Sequence, residues 1–169
     1  PLSALLTFAV LAGCSHIPNG AQAITNFDKA RYLGTWYEIA RFDFRFERDL
    51  NNTTAEYSVL DDTYIAVRNK GYNYKKKAWQ DIVGKAKFRG PDTVGELEVS
   101  FFGPFYGAYN IIALDPDYRY ALIAGKNLKY LSILSRTKEI PEQVRDDYVN
   151  KAKALGYETD NLIWVEHND

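Results

Sequence analysis

Between Gly34 and Arg136 the sequence is a succession of short β-rich runs with no helical periodicity between them, which limits the chain to a few all-β architectures. The runs fall at roughly 35–46, 53–60, 64–72, 78–88, 94–102, 105–114, 118–125 and 129–136. Turn formers separate them: Asp61-Asp62, Gly90-Pro91-Asp92, Gly103-Pro104, Asp115-Pro116-Asp117 and Gly125-Lys126-Asn127. Eight runs at such spacing predict an antiparallel meander that closes into a barrel or a sandwich. Closure removes the bare edges that an open sheet would expose. At 169 residues the chain has the length of one domain with a core of its own.

Alternation within the runs sets which side chains face inward. In Glu96–Phe101 polar and apolar residues alternate cleanly, so Leu97, Val99 and Phe101 share the inner face. In 129–136, Tyr130, Ser132 and Leu134 share one face, and Leu131 and Ile133 the other. The same reasoning places Ala40, Ala55, Tyr57, Val67, Tyr109, Ile111 and Leu122 inside. Residues 119–124 are apolar on both faces, so the outer face there needs a cover. One helix supplies it: in Pro141–Leu155, Val144, Tyr148, Ala152 and Leu155 form an apolar stripe, Pro141 suits the first helical position, and Gly156 follows as a stop. A last short strand, Leu162–Val165, returns to the sheet. Small Ala40, Ala55 and Ser132 leave room inside. Interior tyrosines fit poorly in a dry core unless each hydroxyl finds a partner, such as the head of a bound molecule or ordered water. The aromatic content, 15% of residues, suits both β-structure and an apolar cavity.

Charge and chemistry exclude several functions. With 21 Lys+Arg against 22 Asp+Glu there is no basic excess to neutralise phosphates, so nucleic acid is not an expected partner. A single cysteine forbids an internal disulfide, and His16 and His167 sit at opposite ends of the chain, so no metal centre and no cofactor is expected. Neither histidine falls in a run that lines the interior, which leaves a Ser–His or Cys–His nucleophile hard to assemble.

The front of the chain carries an address. Residues 1–13 are uncharged, too short to span a bilayer but suited to a signal-peptide core, and with no Met present the basic region is expected upstream of Pro1. Leu11-Ala12-Gly13-Cys14 resembles the bacterial lipobox, which implies that Cys14 is lipidated and becomes the mature N-terminus. Ser15 then implies the outer membrane, and residues 15–26 read as a short tether. The basic stretch around Lys75, Lys76 and Lys77 reads either as a solvated loop or as a face for anionic lipid heads.

Tyr32-Leu33-Gly34-Thr35-Trp36-Tyr37 resembles the Gly-x-Trp signature that opens the first strand of the lipocalins. Pro116-Asp117-Tyr118 matches the turn before their seventh strand, with Pro116 replacing the usual Thr, and Ser135-Arg136 matches the Arg that ends their eighth. The resemblance covers nearly all of residues 27–166, and Asn26-Phe27-Asp28, Phe101–Phe105 and Ile163-Trp164-Val165 are similar to the bacterial outer-membrane branch related to apolipoprotein D. It implies an all-β, eight-stranded antiparallel up-and-down barrel over residues 27–169 with one C-terminal α-helix packed outside. Trp36 and Arg136 are then structural residues at the closed end, their contact a cation–π pair. The implied function is binding of a fatty acid or lysophospholipid in an apolar calyx, on the periplasmic face of the outer membrane, in envelope maintenance under stress; a homodimer stays open. The alternatives are a binder of haem or another apolar pigment, and a lipocalin-fold enzyme.

Overall fold

The computed structural model describes residues 15–168; the apolar leader and Cys14 lie outside the described residues. Eight antiparallel strands follow one another around a closed barrel: β1 (Gly34–Arg41), β2 (Leu50–Val59), β3 (Ile65–Asn73), β4 (Ala78–Phe88), β5 (Glu96–Phe102), β6 (Phe105–Leu114), β7 (Tyr120–Ala124) and β8 (Leu131–Ser135). Each pairs with the next, and β1 pairs with both β2 and β8, so the sheet closes on itself. Pairing of β1 with β2 stops at Tyr37; beyond it a short β9 (Ile163–Trp164) pairs with Ala40 and Arg41.

The first strand is shorter than its apolar run suggests. It ends at Arg41, not at position 46, because Arg41 is buried and its Nη2 donates to the carbonyls of Glu47 at 2.7 Å and Leu50 at 3.1 Å. Those bonds curl residues 42–49 into a loop. Its rings reach across the open end, Phe44 to Tyr130 and Phe46 to Phe102, with centroids 6.0 and 5.3 Å apart.

Two layers pack outside. Helix α2 (Glu142–Ala154) lays Tyr148 and Ala152 over Ile112, Leu122, Ala124, Leu131 and Ile133, which covers the second apolar face of β7 and β8. Residues 15–26, expected as a tether, form a strap on the wall instead. Ile24 accepts from Gly95 and donates to Ile111, Thr25 bridges to Val94, and the Asn110 side chain donates to the His16 carbonyl at 2.8 Å. Apolar Ile17, Ala21 and Ile24 give the segment buried contacts that a free linker lacks.

The closed end is a stack of rings under one guanidinium. Asp28 caps the short helix α1 (Lys29–Tyr32) by accepting from the Ala30 and Arg31 amides. Fully buried Trp36 donates from Nε1 to the Tyr32 carbonyl, and the Tyr32 ring lies 4.9 Å from the indole. Arg136 sits 3.8 Å over the Trp36 ring and donates to the carbonyls of Arg31, Tyr32, Leu33, Thr35 and Tyr118. The turn before β7 is held by Asp115, whose carboxylate accepts from the amides of Asp117, Arg119 and Tyr120.

Removing the buried indole in Trp36→Ala is expected to cost ~3–5 kcal/mol. A double-mutant cycle with Arg136→Ala should show coupling of about 1 kcal/mol. Arg136→Lys should rescue little, because one ammonium cannot span the carbonyls that the planar fork reaches. Urea denaturation of the four proteins checks this; strictly additive losses would separate the two residues.

Candidate functional site: the barrel interior and its mouth

The interior is apolar from the closed end upward. Ala55, Tyr57, Val67, Ile111 and Leu134 belong to its buried cluster, and Val99, Phe101, Tyr109 and Tyr130 pack against that cluster while keeping part of their surface open. At Gly84 of β4 a Cβ would collide with the Ser100 carbonyl oxygen and stand 2.6 Å from the Phe101 ring, so both hold that space. Ser132 is buried on the same face and donates to Glu38.

Two residues expected inside lie outside. Ala40 and Leu122 belong to the cluster beneath α2. A bulge between Glu38 and Ala40 inserts an extra residue into β1, so Trp36 and Glu38 point in, Ile39 and Ala40 both point out, and Arg41 turns in again. Leu122 stands opposite Ile133 on the outer face, and its neighbours Ala121 and Ile123 fill the interior. With apolar side chains on both faces of β7, alternation cannot choose between the two registers.

The tyrosine hydroxyls also find different partners. Tyr109 bonds Tyr32 at 2.6 Å and Tyr57 at 2.8 Å, so the three hydroxyls satisfy one another without a ligand. Burial raises the pKa of all three above the ordinary phenol value, further still from the physiological range in which a phenol is already neutral.

A polar cluster that sequence reasoning missed lies on the wall below the mouth. Glu38 accepts from Thr53 at 3.1 Å and Ser132 at 3.2 Å, and its Oε1 lies 3.4 Å from Arg41 Nη1. Glu47, reaching in from the 42–49 loop, holds its Oε2 3.9 Å from Arg41 Nε. Arg41 Nε has no hydrogen-bond acceptor, although the residue is only 3% exposed. Burial first, then the neighbouring Glu38 charge, push the Glu47 carboxyl well above the usual carboxylate range. A signal was available: Glu38 lies two positions after Trp36 in a strand, on the same face.

Exposed aromatics ring the mouth: Phe44, Phe46, Phe102 and Phe105, the last 77% exposed, with the Arg45 guanidinium 4.6 Å over the Phe46 ring. The turn carrying Lys75, Lys76 and Lys77 follows β3 at the same end; Lys75 pairs with Asp49 at 2.9 Å. A separate surface cavity of about 540 Å³ opens outside the wall, lined by His16, Ile17, Lys87, Arg89, Glu96 and Glu98; its charged rim makes it a poor match for an apolar guest.

A closed antiparallel barrel, plugged at one end by a Trp–Arg stack and open at the other over an apolar interior, defines a class of small-molecule binders. The chain belongs to that class: residues 27–167 match the lipocalin-like domain family, and the chain is a lipocalin. It is 51% identical over 169 residues to the outer membrane lipoprotein Blc of Citrobacter freundii, covering 98% of this chain and 96% of that protein, and equally to Blc of Escherichia coli K12. Apolipoprotein D of Rattus norvegicus is 32% identical over 70% of this chain and 65% of its own. Among solved structures, insecticyanin of Manduca sexta superposes with a TM-score of 0.72 at 20% identity, covering 92% of this chain and 88% of that one, which shows a shared fold.

Because its folded pKa is raised, Glu47 withholds stability as pH rises: the folded state binds the proton more tightly, and the protein loses stability from the unfolded carboxylate pKa upward through the folded one. Glu47→Gln, which cannot ionise, is expected to gain on the wild type progressively over that window. Unfolding midpoints of both proteins from pH 4 to pH 9 check the sign; a difference that shrinks with rising pH contradicts it.

Proposed function

We propose that this lipocalin binds single-chain amphiphiles, fatty acids or lysophospholipids, and holds the acyl tail in the barrel interior. The observation that carries the reading is the half-open apolar set Val99, Phe101 and Tyr130 beneath an aromatic-ringed mouth. Tail burial supplies the affinity at roughly 25 cal/mol per Å² of apolar surface removed from water. No chemical step is needed. His167 Nε2 is engaged 2.8 Å from the Glu38 carbonyl, and His16 lies on the outer strap, so neither histidine faces a guest inside the barrel.

The division of labour along the chain follows from the same reading. Residues 1–13 serve as signal peptide, Cys14 carries the acyl chains, and the barrel that follows works at the bacterial outer membrane. Relatives named outer membrane lipoproteins support this. Lys76 and Lys77, exposed beside the mouth, suit an anionic lipid surface. Lipid handling in envelope maintenance under stress is the role this placement fits.

Val99→Trp puts an indole where the tail would lie. It should abolish binding of a fluorescent fatty acid while costing less than the ~1–3 kcal/mol of over-packing a filled core. A wild type that binds no lipid, together with a strongly destabilised variant, would leave only a structural barrel. Cys14→Ser should leave the fold intact and move the protein out of the outer-membrane fraction; a variant retained there at mature size with normal lipid labelling refutes attachment at Cys14.

A further inference from the structure

An acyl tail has no use for the charges on the wall below the mouth. Two carboxylates, Glu38 and Glu47, converge there on one guanidinium, Arg41. Glu38 is well provided, with Arg41 Nη1, Thr53 and Ser132 all directed at it. Glu47 has the Arg41 Nε edge at 3.9 Å, too long for a hydrogen bond, and otherwise only the like-charged Glu38 carboxyl beside it, with which it shares a hydrogen bond. The other titratable groups facing the pair, Tyr57 of β2 and Tyr130 ahead of β8, are neutral phenols. Of the cations on the adjoining loop and turn, Arg48 pairs with Asp43 at 2.6 Å, Lys75 with Asp49 at 2.9 Å, Arg45 lies over the Phe46 ring, and Lys76 and Lys77 are exposed on the outer turn. With both carboxylates ionised, Glu38, Glu47 and Arg41 together carry one net negative charge. Two buried atoms on the interior wall also lack partners. Arg41 Nε is a donor without an acceptor, and Asn69 Oδ1, on the inward face of β3 between Val67 and Gly71, is an acceptor without a donor.

We propose that Glu38, Glu47 and Arg41 form a head-group site for a primary ammonium, so that the barrel prefers an amphiphile with an amine-bearing head over a fatty acid of the same chain length. The proposal deepens the amphiphile-carrier reading and rests on it. An ammonium brings the missing positive charge and three donors, enough to bridge both carboxylates. An oxyanion beside the amine, as in a phosphoethanolamine head, meets the free Arg41 Nε, and Asn69 Oδ1 accepts from a further hydroxyl or amine of the head. A bare carboxylate does the reverse, bringing a further acid beside the Glu38 and Glu47 carboxyls without a cation to balance it. In the empty protein a proton on Glu47 takes the place of the ammonium, which accords with the raised affinity of that carboxyl for protons.

The test uses displacement of a neutral polarity-sensitive dye from the full folded chain by dodecylammonium, dodecanol and dodecanoate. At neutral pH dodecylammonium should displace the dye at about tenfold lower concentration than dodecanoate, the equivalent of one charge-assisted contact. Its advantage over dodecanol should shrink as pH falls and Glu47 takes up its proton, and should collapse in Glu47→Gln. Equal or tighter binding of dodecanoate, or an ammonium advantage that survives in Glu47→Gln and does not change with pH, overturns the head-group site while leaving the carrier reading in place. Failure of the dye and of all three amphiphiles to bind the wild type overturns both. The wild-type comparison and its pH dependence stand even if the variant folds poorly.

Discussion

Everything at the closed end hangs from the Arg136 guanidinium. It lies flat on the Trp36 indole, and its edges gather carbonyls from the end of α1, the entry to β1 and the turn before β7. The first two are consecutive in the chain and the third lies more than eighty positions away, so without a common donor their carbonyls would compete for water in a crowded corner. A planar group with five donors suits the task, since it satisfies several acceptors while presenting an apolar face to a ring. Trp36 in turn fixes Tyr32 through its Nε1, and Tyr32 begins the hydroxyl chain that runs through Tyr109 to Tyr57. The floor of the interior is thus set by one stack, from which the strands rise.

The strand count, the helix and the closed-end pair were legible because each rests on a local pattern: turn formers, a helical stripe, an unmistakable Gly-x-Trp. Alternation read Leu97, Val99 and Phe101 correctly as one face, since the opposite face of β5 carries Glu96, Glu98 and Ser100. It misplaced Ala40 because a bulge is a property of strand pairing, invisible in the strand's own sequence. Leu122 was undecidable by the same method, since α2 covers the second face and both faces of β7 are apolar. The strap was hidden for a related reason: Pro18, Asn19 and Gly20 advertise a loop, while the donors and acceptors that hold it belong to β6 and to the segment before β5.

The polar cluster below the mouth shows what a search for apolar inward positions overlooks. Glu38 sits on the inner face by simple alternation, yet a charged residue in a strand reads as solvent-facing until its partners are known. Those partners arrive from β1 itself, the mouth loop, β2 and β8, and apart from Arg41, three positions on, no sequence spacing joins them to Glu38. Arg41 serves two purposes. It balances Glu38, and by holding the Glu47 and Leu50 carbonyls it decides where β1 ends and how the mouth loop is pinned.

The strap determines how freely the barrel can swing from its anchor. Asn110 clasps the His16 carbonyl and, with the same Nδ2, the Gly125 carbonyl at the end of β7 nearest the mouth. On the proposal that Cys14 carries the acyl chains, the leash from it to the wall is short: Cys14 is only two positions before His16, about 7 Å at full extension. A leash that short leaves the barrel little room to tumble. It also leaves the wall from the upper half of the strap, rather than from the plugged floor. The molecule would then ride its bilayer as a tilting turret, sampling the lipids of its own leaflet instead of reaching across the periplasm.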